Sequence, residues 1–223
     1  MVKRGNRRYI CYHAPCIVAG MQKAQMKKNT DELKHRILDT AVALFIEKGI
    51  AGVTTRDVTE QLGLSRSHIY HYFSNWQALS LAALERFMAQ EIAQFTREAE
   101  ELAPEQQLLR LAEIYLPNSV DATWKLYDSL WQKAANNEVW AALAEKNIAS
   151  WSALIGGMIQ QGVEQQRFHT ADAARVTRQL SAMLNGYAEV LSITPSAEKH
   201  RQAMMDITAF IRLALQPASG GQR

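Results

Sequence analysis

Apolar residues return every third or fourth position through most of this chain, and nowhere do they alternate singly with polar ones. That spacing builds one-sided helices and offers no register for a half-buried strand. The clearest run joins Leu33, Ile37, Ala41, Leu44 and Phe45, with Gly49 behind it as a stop. Asn29 or Thr30 can cap its start, and Asp31 and Glu32 sit where a helix dipole favours carboxylates. The same criteria predict eight further helices. Two are short, Thr54 to Gly63 and Ser65 to Tyr72, with a capping box in Thr54-Thr55-Arg56-Asp57 and Ser65 as the second cap. The rest are longer: Trp76 to Glu101, Pro104 to Pro117, Val120 to Asn136, Glu138 to Gln166, Thr170 to Ser192 and Pro195 to Leu215. Gly156-Gly157 and Gly162 weaken the seventh. The predicted fold class is all-α.

A chain of 223 residues can bury a core without disulfides or metals. Its only cysteines, Cys11 and Cys16, lie near the start, which excludes a disulfide framework or thiolate site in the body and suits a reducing cytoplasm. No apolar run approaches the roughly 18 residues that a membrane span needs. Up to Asn75 there are 12 Lys and Arg against 6 Asp and Glu, yet from Met26 to Asn75 the balance is only 7 against 6. Charge therefore says little about a polyanion partner. Residues 1–25 are expected to be a disordered leader or a mis-assigned start, with Met21 and Met26 as alternatives. Arg7-Arg8 and the stretch from Tyr9 to Gly20 suggest an export signal, but His13 and Pro15 interrupt it and no cleavage site follows. The expected organisation is a head over 26–75, a helical body over 76–216 and a loose tail over 217–223.

The two short helices have what a helix-turn-helix needs. Val58 and Leu62 face inward, Gly63 permits a tight turn, Leu64 plugs it, and Ile69 and Phe73 anchor the second helix. Thr59 takes the place where a small residue lets the helices approach. Arg66, Ser67, His68, Tyr70 and His71 are then left on the outward face, at the end such a motif presents to base edges. Arg66 suits the O6 and N7 atoms of guanine. Thr54, Thr55 and the amides of that helix start suit phosphate oxygens, with Arg56, Ser65 and Tyr72 beside them. Spacing alone leaves a second reading equally open: two amphipathic helices joined by a glycine turn.

The string Gly52-Val53-Thr54-Thr55-Arg56-Asp57-Val58, followed by Leu62-Gly63-Leu64-Ser65-Arg66-Ser67-His68-Ile69-Tyr70-His71-Tyr72-Phe73, closely resembles the TetR family of bacterial transcriptional regulators. The helix from Ile37 to Gly49 and the pair Ala78-Leu79 extend the resemblance over residues 33–85. It implies a DNA-binding head on a helical body that dimerises and binds a small effector. Trp76 departs from the pattern. The family usually has a lysine there, meeting the DNA backbone, whereas an indole offers one N–H and no charge. Trp76 either keeps a DNA contact through that N–H or packs against the head.

From Trp124 to Pro195 the chain also resembles the BetI-like branch, through Trp124, Trp131, Trp151, Gly162, Phe168 and Asn185-Gly186-Tyr187. Trp124, Tyr127 and Trp131 share one helix face, with Trp140 and Trp151 on the neighbouring helix. With Tyr187 they are candidate walls for a planar apolar ligand or a quaternary ammonium, or else ordinary core. Val176, Leu180, Met183, Leu184, Tyr187 and Leu191 on the eighth helix, and Met204, Ile207, Phe210, Ile211 and Leu215 on the ninth, offer a dimer surface. The histidines are scattered, His68 and His71 lack an acidic or cysteine companion, and no phosphate loop or nucleophile motif appears, so neither enzyme, metal site nor cofactor is expected. The expectation is a cytoplasmic repressor that binds a palindromic double-stranded DNA operator as a homodimer and is released by an unknown small molecule. The alternative is a helical ligand-binding or interaction protein without sequence-specific DNA binding, a possibility raised chiefly by Trp76.

Overall fold

The computed structural model describes residues 15–170 and 172–216. Regular structure among them is entirely helical. It consists of α1 (Pro15–Lys48), a 3₁₀ turn (Ile50–Gly52), α2 (Thr55–Leu62), α3 (Arg66–Tyr72), α4 (Trp76–Ala99), α5 (Pro104–Tyr115), α6 (Ala122–Ala134), α7 (Glu138–Glu164), α8 (Ala173–Ile193) and α9 (Ala197–Leu215). The all-α expectation holds, and each long helix after α1 falls within a few residues of its predicted place.

The start of α1 differs from expectation. The helix runs from Pro15 straight through Asn29 and Thr30, so neither acts as its cap. The physical reason is the stretch Met21 to Lys28, a run of good helix formers with nothing to stop the helix propagating backward. Residues 15–25 of the expected leader are thus helical, while residues 1–14 and the tail over 217–223 lie outside the described residues.

Side-chain caps explain most of the remaining starts. Asn75, Asp121, Asn137, Asp172 and Ser196 each accept a backbone N–H from the first turn of α4, α6, α7, α8 and α9 respectively. Helix α5 instead begins with Pro104, whose missing N–H is harmless in a first turn.

The expected weak points of α7 do not break it, and the helix continues past Gly156-Gly157 and Gly162. Gly162 serves packing. A Cβ there would stand 2.1 and 2.4 Å from Cδ2 and Cε2 of Phe168, which is 2% exposed. Gly162→Ala should gain about 1 kcal/mol of helix propensity but lose about 1–3 kcal/mol to overpacking. The atoms met are ring carbons of a buried side chain, so the steric loss wins. Thermal melts should show a net fall of a few degrees, and an unchanged or higher midpoint would contradict the close contact.

Two apolar clusters hold the chain together. One joins Ile37, Ala41 and Phe45 of α1, Val58 of α2, Ile69 of α3 and the first half of α4 (Leu79, Ala83, Leu84, Met88). It also takes in Leu126 and Leu130 of α6 and Trp140, Leu143 and Ala144 of α7. The other joins Phe95 and Ala99, at the far end of α4, to α5, the second half of α7, α8 and α9. Helices α4 and α7 thus enter both cores. The head packs directly on the body, with α6 lying against α1 and the 3₁₀ turn.

Candidate DNA-reading head and body cavity

The entry to α2 is the reciprocal cap expected from its sequence. The Asp57 amide donates to Thr54 Oγ1 at 3.4 Å, and the Thr54 amide donates to Asp57 Oδ2 at 2.8 Å. The Thr54 hydroxyl donates to the same Oδ2 at 2.5 Å, and these bonds hold the Asp57 carboxyl below its ordinary range, helped by Lys48 at 3.7 Å. Helix α2 ends at Gly63, with φ 65° and ψ 34°. There the Leu64 amide donates to the Thr59 carbonyl at 2.9 Å and the Gly63 amide to Glu60 at 3.3 Å, a Schellman closure. A Cβ on Gly63 would meet nothing within 4 Å. Gly63→Ala should therefore lose only the left-handed backbone penalty of about 1–2 kcal/mol. Denaturant titration checks this; a loss near zero would mean the turn relaxes to another shape.

Between the helices, Val58, Ile69 and Phe73 are buried and Leu62 and Leu64 pack partly buried against them. Thr59 is buried too, and its hydroxyl is satisfied by the Arg56 carbonyl at 2.9 Å. This core turns Arg66, Ser67, His68, Tyr70 and His71 to solvent, all exposed. Arg66 makes no ion pair among the described residues, whereas Arg56 is held by Glu60 at 2.6 Å. Ser65 occupies the cap position of α3, but its hydroxyl does not cap the backbone as expected. It bonds Ser67 Oγ and His68 Nδ1, each at 2.7 Å, and so ties together part of the exposed face. Thr55 is buried, so its side chain offers little surface for the phosphate contact expected of it. Tyr72 is half-buried, with its ring edge-on to His71 at 5.1 Å. Trp76 packs edge-to-face on Phe45 at 5.8 Å and belongs to the rim of the head core.

A cavity of about 260 Å³ opens in the body between α4, α5, α6 and α7. Its walls include Tyr115, Trp124, Tyr127 and Trp151, which form a chain of ring contacts. Centroid separations are 5.2 Å for Tyr115–Trp124, 5.8 Å for Trp124–Tyr127 and 6.0 Å for Tyr115–Trp151. Glu91 and Asp121 share the lining. The Tyr127 hydroxyl donates to Glu91 at 2.5 Å, and the Tyr115 hydroxyl to Asn185 at 2.6 Å. Burial pushes the Tyr115 hydroxyl up to about 12 and raises Tyr127 as well. Burial also raises the Glu91 carboxyl, partly opposed by the Tyr127 bond. Beyond Tyr115 and Trp151 lies a smaller chamber of about 30 Å³, lined also by Trp131, Asn147 and Ser181.

Four of the six expected wall residues therefore line these two chambers: Trp124, Tyr127 and Trp151 on the outer cavity, Trp131 on the inner. Tyr187 does not; its hydroxyl turns to Asp206 of α9, donating at 2.6 Å. Trp140 is also elsewhere, buried in the head-side core with the Lys133 ammonium 5.2 Å from its ring. Sequence reasoning missed Glu91, Tyr115, Asp121 and Asn147. Glu91 carried a legible signal, because it interrupts the apolar stripe Leu84, Met88, Phe95, Ala99 at helical spacing. Tyr115 and Asn147 come from other helices and carried none.

A helix-turn-helix head joined through shared packing to a cavity-bearing helical body defines a class, the helix-turn-helix transcriptional regulators. Residues 37–83 match the family of bacterial regulatory proteins, tetR family, and residues 104–215 match the BetI-type transcriptional repressor, C-terminal. The chain belongs to the TetR family of transcriptional regulators. Members of this family are regulators rather than enzymes.

Among similar proteins, the HTH-type transcriptional regulator YerO of Bacillus subtilis is 30% identical over 82 residues, 36% of this chain and 28% of that protein. The chain thus spans little more than a quarter of that relative. The HTH-type transcriptional regulator EthR of Mycolicibacterium smegmatis is 26% identical over 149 residues, covering 65% of this chain and 69% of that one. In fold, a TetR transcription regulator from Haloarcula marismortui superposes with a TM-score of 0.72 at 19% identity, covering 83% of this chain and all of that one. A transcriptional regulator from Saccharomonospora viridis in complex with choline gives 0.69 at 24% identity, covering 83% and 98%. Among the described residues no helix is long and apolar enough to cross a membrane.

Proposed function

We propose that this chain is a homodimeric repressor that binds a palindromic double-stranded operator through α3 and is released when a small molecule enters the body cavity. The observation that carries this reading is the exposed face of α3. Arg66, Ser67, His68, Tyr70 and His71 stand outward on a buried core, and Arg66 makes no ion pair among the described residues. With Trp76 packed on Phe45, backbone anchoring falls to the α2 amides beside Thr54 and Thr55, to Arg56 and Ser65, and to Tyr72. One seven-residue recognition helix makes few base contacts, so affinity and specificity call for two heads on a two-fold axis.

The surface for that axis lies on α8 and α9. Their inner faces, including Leu180, Leu184, Leu191, Ile207, Ile211 and Leu215, are consumed by the protomer's own core. An apolar stripe continues outward from this core: Met183 and Tyr187 on α8 and Phe210 on α9 are half-buried against it, and Val190 on α8 and Leu213 on α9 are exposed. A second copy of this pair completes a four-helix bundle.

Release follows from shared packing. Glu91 lies midway along α4, between its head-side and body-side contacts, and α6 carries Trp124 and Tyr127 on the cavity but Leu126 and Leu130 in the head core. A molecule that spreads these walls moves the head and changes the spacing of the two recognition helices. The choline held by the Saccharomonospora viridis regulator supports a small-molecule role for such a body. Titration against DNA flanking the chain's own gene tests the proposal. Binding should weaken steeply between 50 and 200 mM salt, by about 10³-fold or more if six or more phosphates are contacted. Salt-insensitive binding, or equal binding to unrelated DNA, would overturn it.

A further inference from the structure

The face of α1 that packs on the head does not end where the head ends. Ala41 and Phe45, on that face, are buried in the head core. At about 100° per residue, positions 34, 27 and 23 fall within about 40° of them on the same helix. All three are lysines. Among the described side chains, Leu33 is the first of α1 to pack on the head, so the face changes from apolar to basic as the helix runs back past the head's edge. From Pro15 to Thr30 the sequence holds Lys23, Lys27 and Lys28 and no Asp or Glu. Asp31 and Glu32 follow, which still leaves four lysines against two carboxylates over residues 15–34. Lys23 and Lys27 stand at the i, i+4 spacing at which like charges disfavour a helix, so a polyanion alongside would relieve it.

Lys34 fixes where this face looks. It is exposed, its ammonium stands 5.8 Å from the centre of the Phe73 ring, and it makes no ion pair among the described residues. A ring contact leaves the ammonium donors free for a further acceptor. Phe73 closes the recognition helix α3, next to Tyr72. The joint that follows, Ser74-Asn75-Trp76-Gln77, carries no charge, and Trp76 is turned onto Phe45. The cation at this end of α3 therefore comes from α1.

We propose that this face of α1 is a second DNA contact, in which Lys34, Lys27 and Lys23 follow the phosphates just outside the base pairs that α3 reads. The proposal rests on the operator reading above and adds a surface that the helix-turn-helix itself does not contain. From Lys34 back to Lys23 the helix rises about 16 Å, the length of about five nucleotides of one strand.

The slope of log affinity against log salt tests it on the full chain. Each phosphate contact contributes about 0.9 to that slope, and a dimer presents every lysine twice. Lys34→Gln should flatten the slope by about 2, and Lys23→Gln combined with Lys27→Gln by about 4, whereas Lys34→Arg should keep it. Lys28→Gln makes the same charge change about 120° around the helix from Lys34 and should leave the slope as it was. Phosphates carry no sequence information, so the losses should be equal on operator and unrelated DNA, unlike those of a base-reading side chain. Hydroxyl-radical protection should extend up to about five nucleotides beyond each half-site and retreat in the Lys23/Lys27 double variant. Circular dichroism melts identify any variant that fails to fold, and the double variant lies outside the head core. If wild-type binding is steeply salt-dependent but the Lys23, Lys27 and Lys34 variants keep its slope, the α1 surface is overturned and the operator reading stands. If Lys28→Gln flattens the slope as much as Lys34→Gln, the contact is a diffuse basic segment and the proposed face is overturned. If wild-type binding is insensitive to salt, both readings are overturned.

Discussion

Replacing Val190 and Leu213 together by glutamate is expected to leave a folded monomer whose operator affinity is at least about 100-fold lower. In the protomer these side chains are 53% and 78% exposed, so each change there should alter stability by no more than about 0.5 kcal/mol. Across a two-fold axis the same positions would place four carboxylates in a dry apolar seam. Each ion withdrawn from water costs several kcal/mol, and the like charges repel one another besides. Losing 100-fold in affinity needs only about 2.7 kcal/mol, so the seam has more than enough penalty to open. Sedimentation equilibrium and DNA titration on the same sample check both halves. A variant that stays dimeric would show that the dimer forms elsewhere, and a monomer with wild-type affinity would remove the need for a dimer altogether.

Arg66→Ala should have the second-largest effect. One bidentate arginine contact to guanine discriminates by about 1–3 kcal/mol, and a dimer carries two of them, so the loss at a full operator should be about 2–6 kcal/mol. Discrimination at one base pair in each half-site should fall at the same time, while binding to unrelated DNA changes little. Arg56 provides the contrast. It already pairs with Glu60 on α2, and Arg56→Ala should weaken binding less and equally across sequences. Affinity of each variant for the operator and for a guanine-substituted operator separates the two roles. Equal loss on both DNAs for Arg66→Ala would reduce it to a phosphate contact.

The head was readable from sequence because its determinants are local. Thr54 and Asp57 are three residues apart, Gly63 sits at a chain reversal, and Val58, Ile69 and Phe73 fall at helical spacing, so each feature is fixed by near neighbours. The 3₁₀ turn at Ile50–Gly52 and the early start of α1 were less visible, since each is decided by continuation of the chain rather than by a cap. Trp76 illustrates the same limit. Its sequence position left two outcomes open, and a contact with Phe45, thirty-one residues away, places the indole on the head.

The body is the harder half, because its site is assembled from helices distant along the chain. The stripe Trp124, Tyr127, Trp131 was legible as one helix face, but which rings would meet it was legible only in part. Trp151 of α7 met it as expected and Tyr115 joined unforeseen from α5, while Trp140, on that same α7, went to the other core and Tyr187 to a bond with Asp206. Periodicity says which residues face inward; it does not say which of two cores they enter. The division of α4 and α7 between both cores, and the position of α6 across the head, are tertiary facts of this kind, and the proposed coupling of cavity to head depends on them.

The most direct test of the central claim is hydroxyl-radical footprinting of the DNA flanking the chain's own gene, with the protein-to-DNA stoichiometry measured on the same fragment. Two symmetric protected half-sites centred about one helical turn apart, or a small multiple of it, should appear, with an even number of chains bound. Protection should vanish with Arg66→Ala. A single protected half-site occupied by one chain, or a footprint without two-fold symmetry that survives Arg66→Ala, would contradict a dimer reading a palindrome through α3.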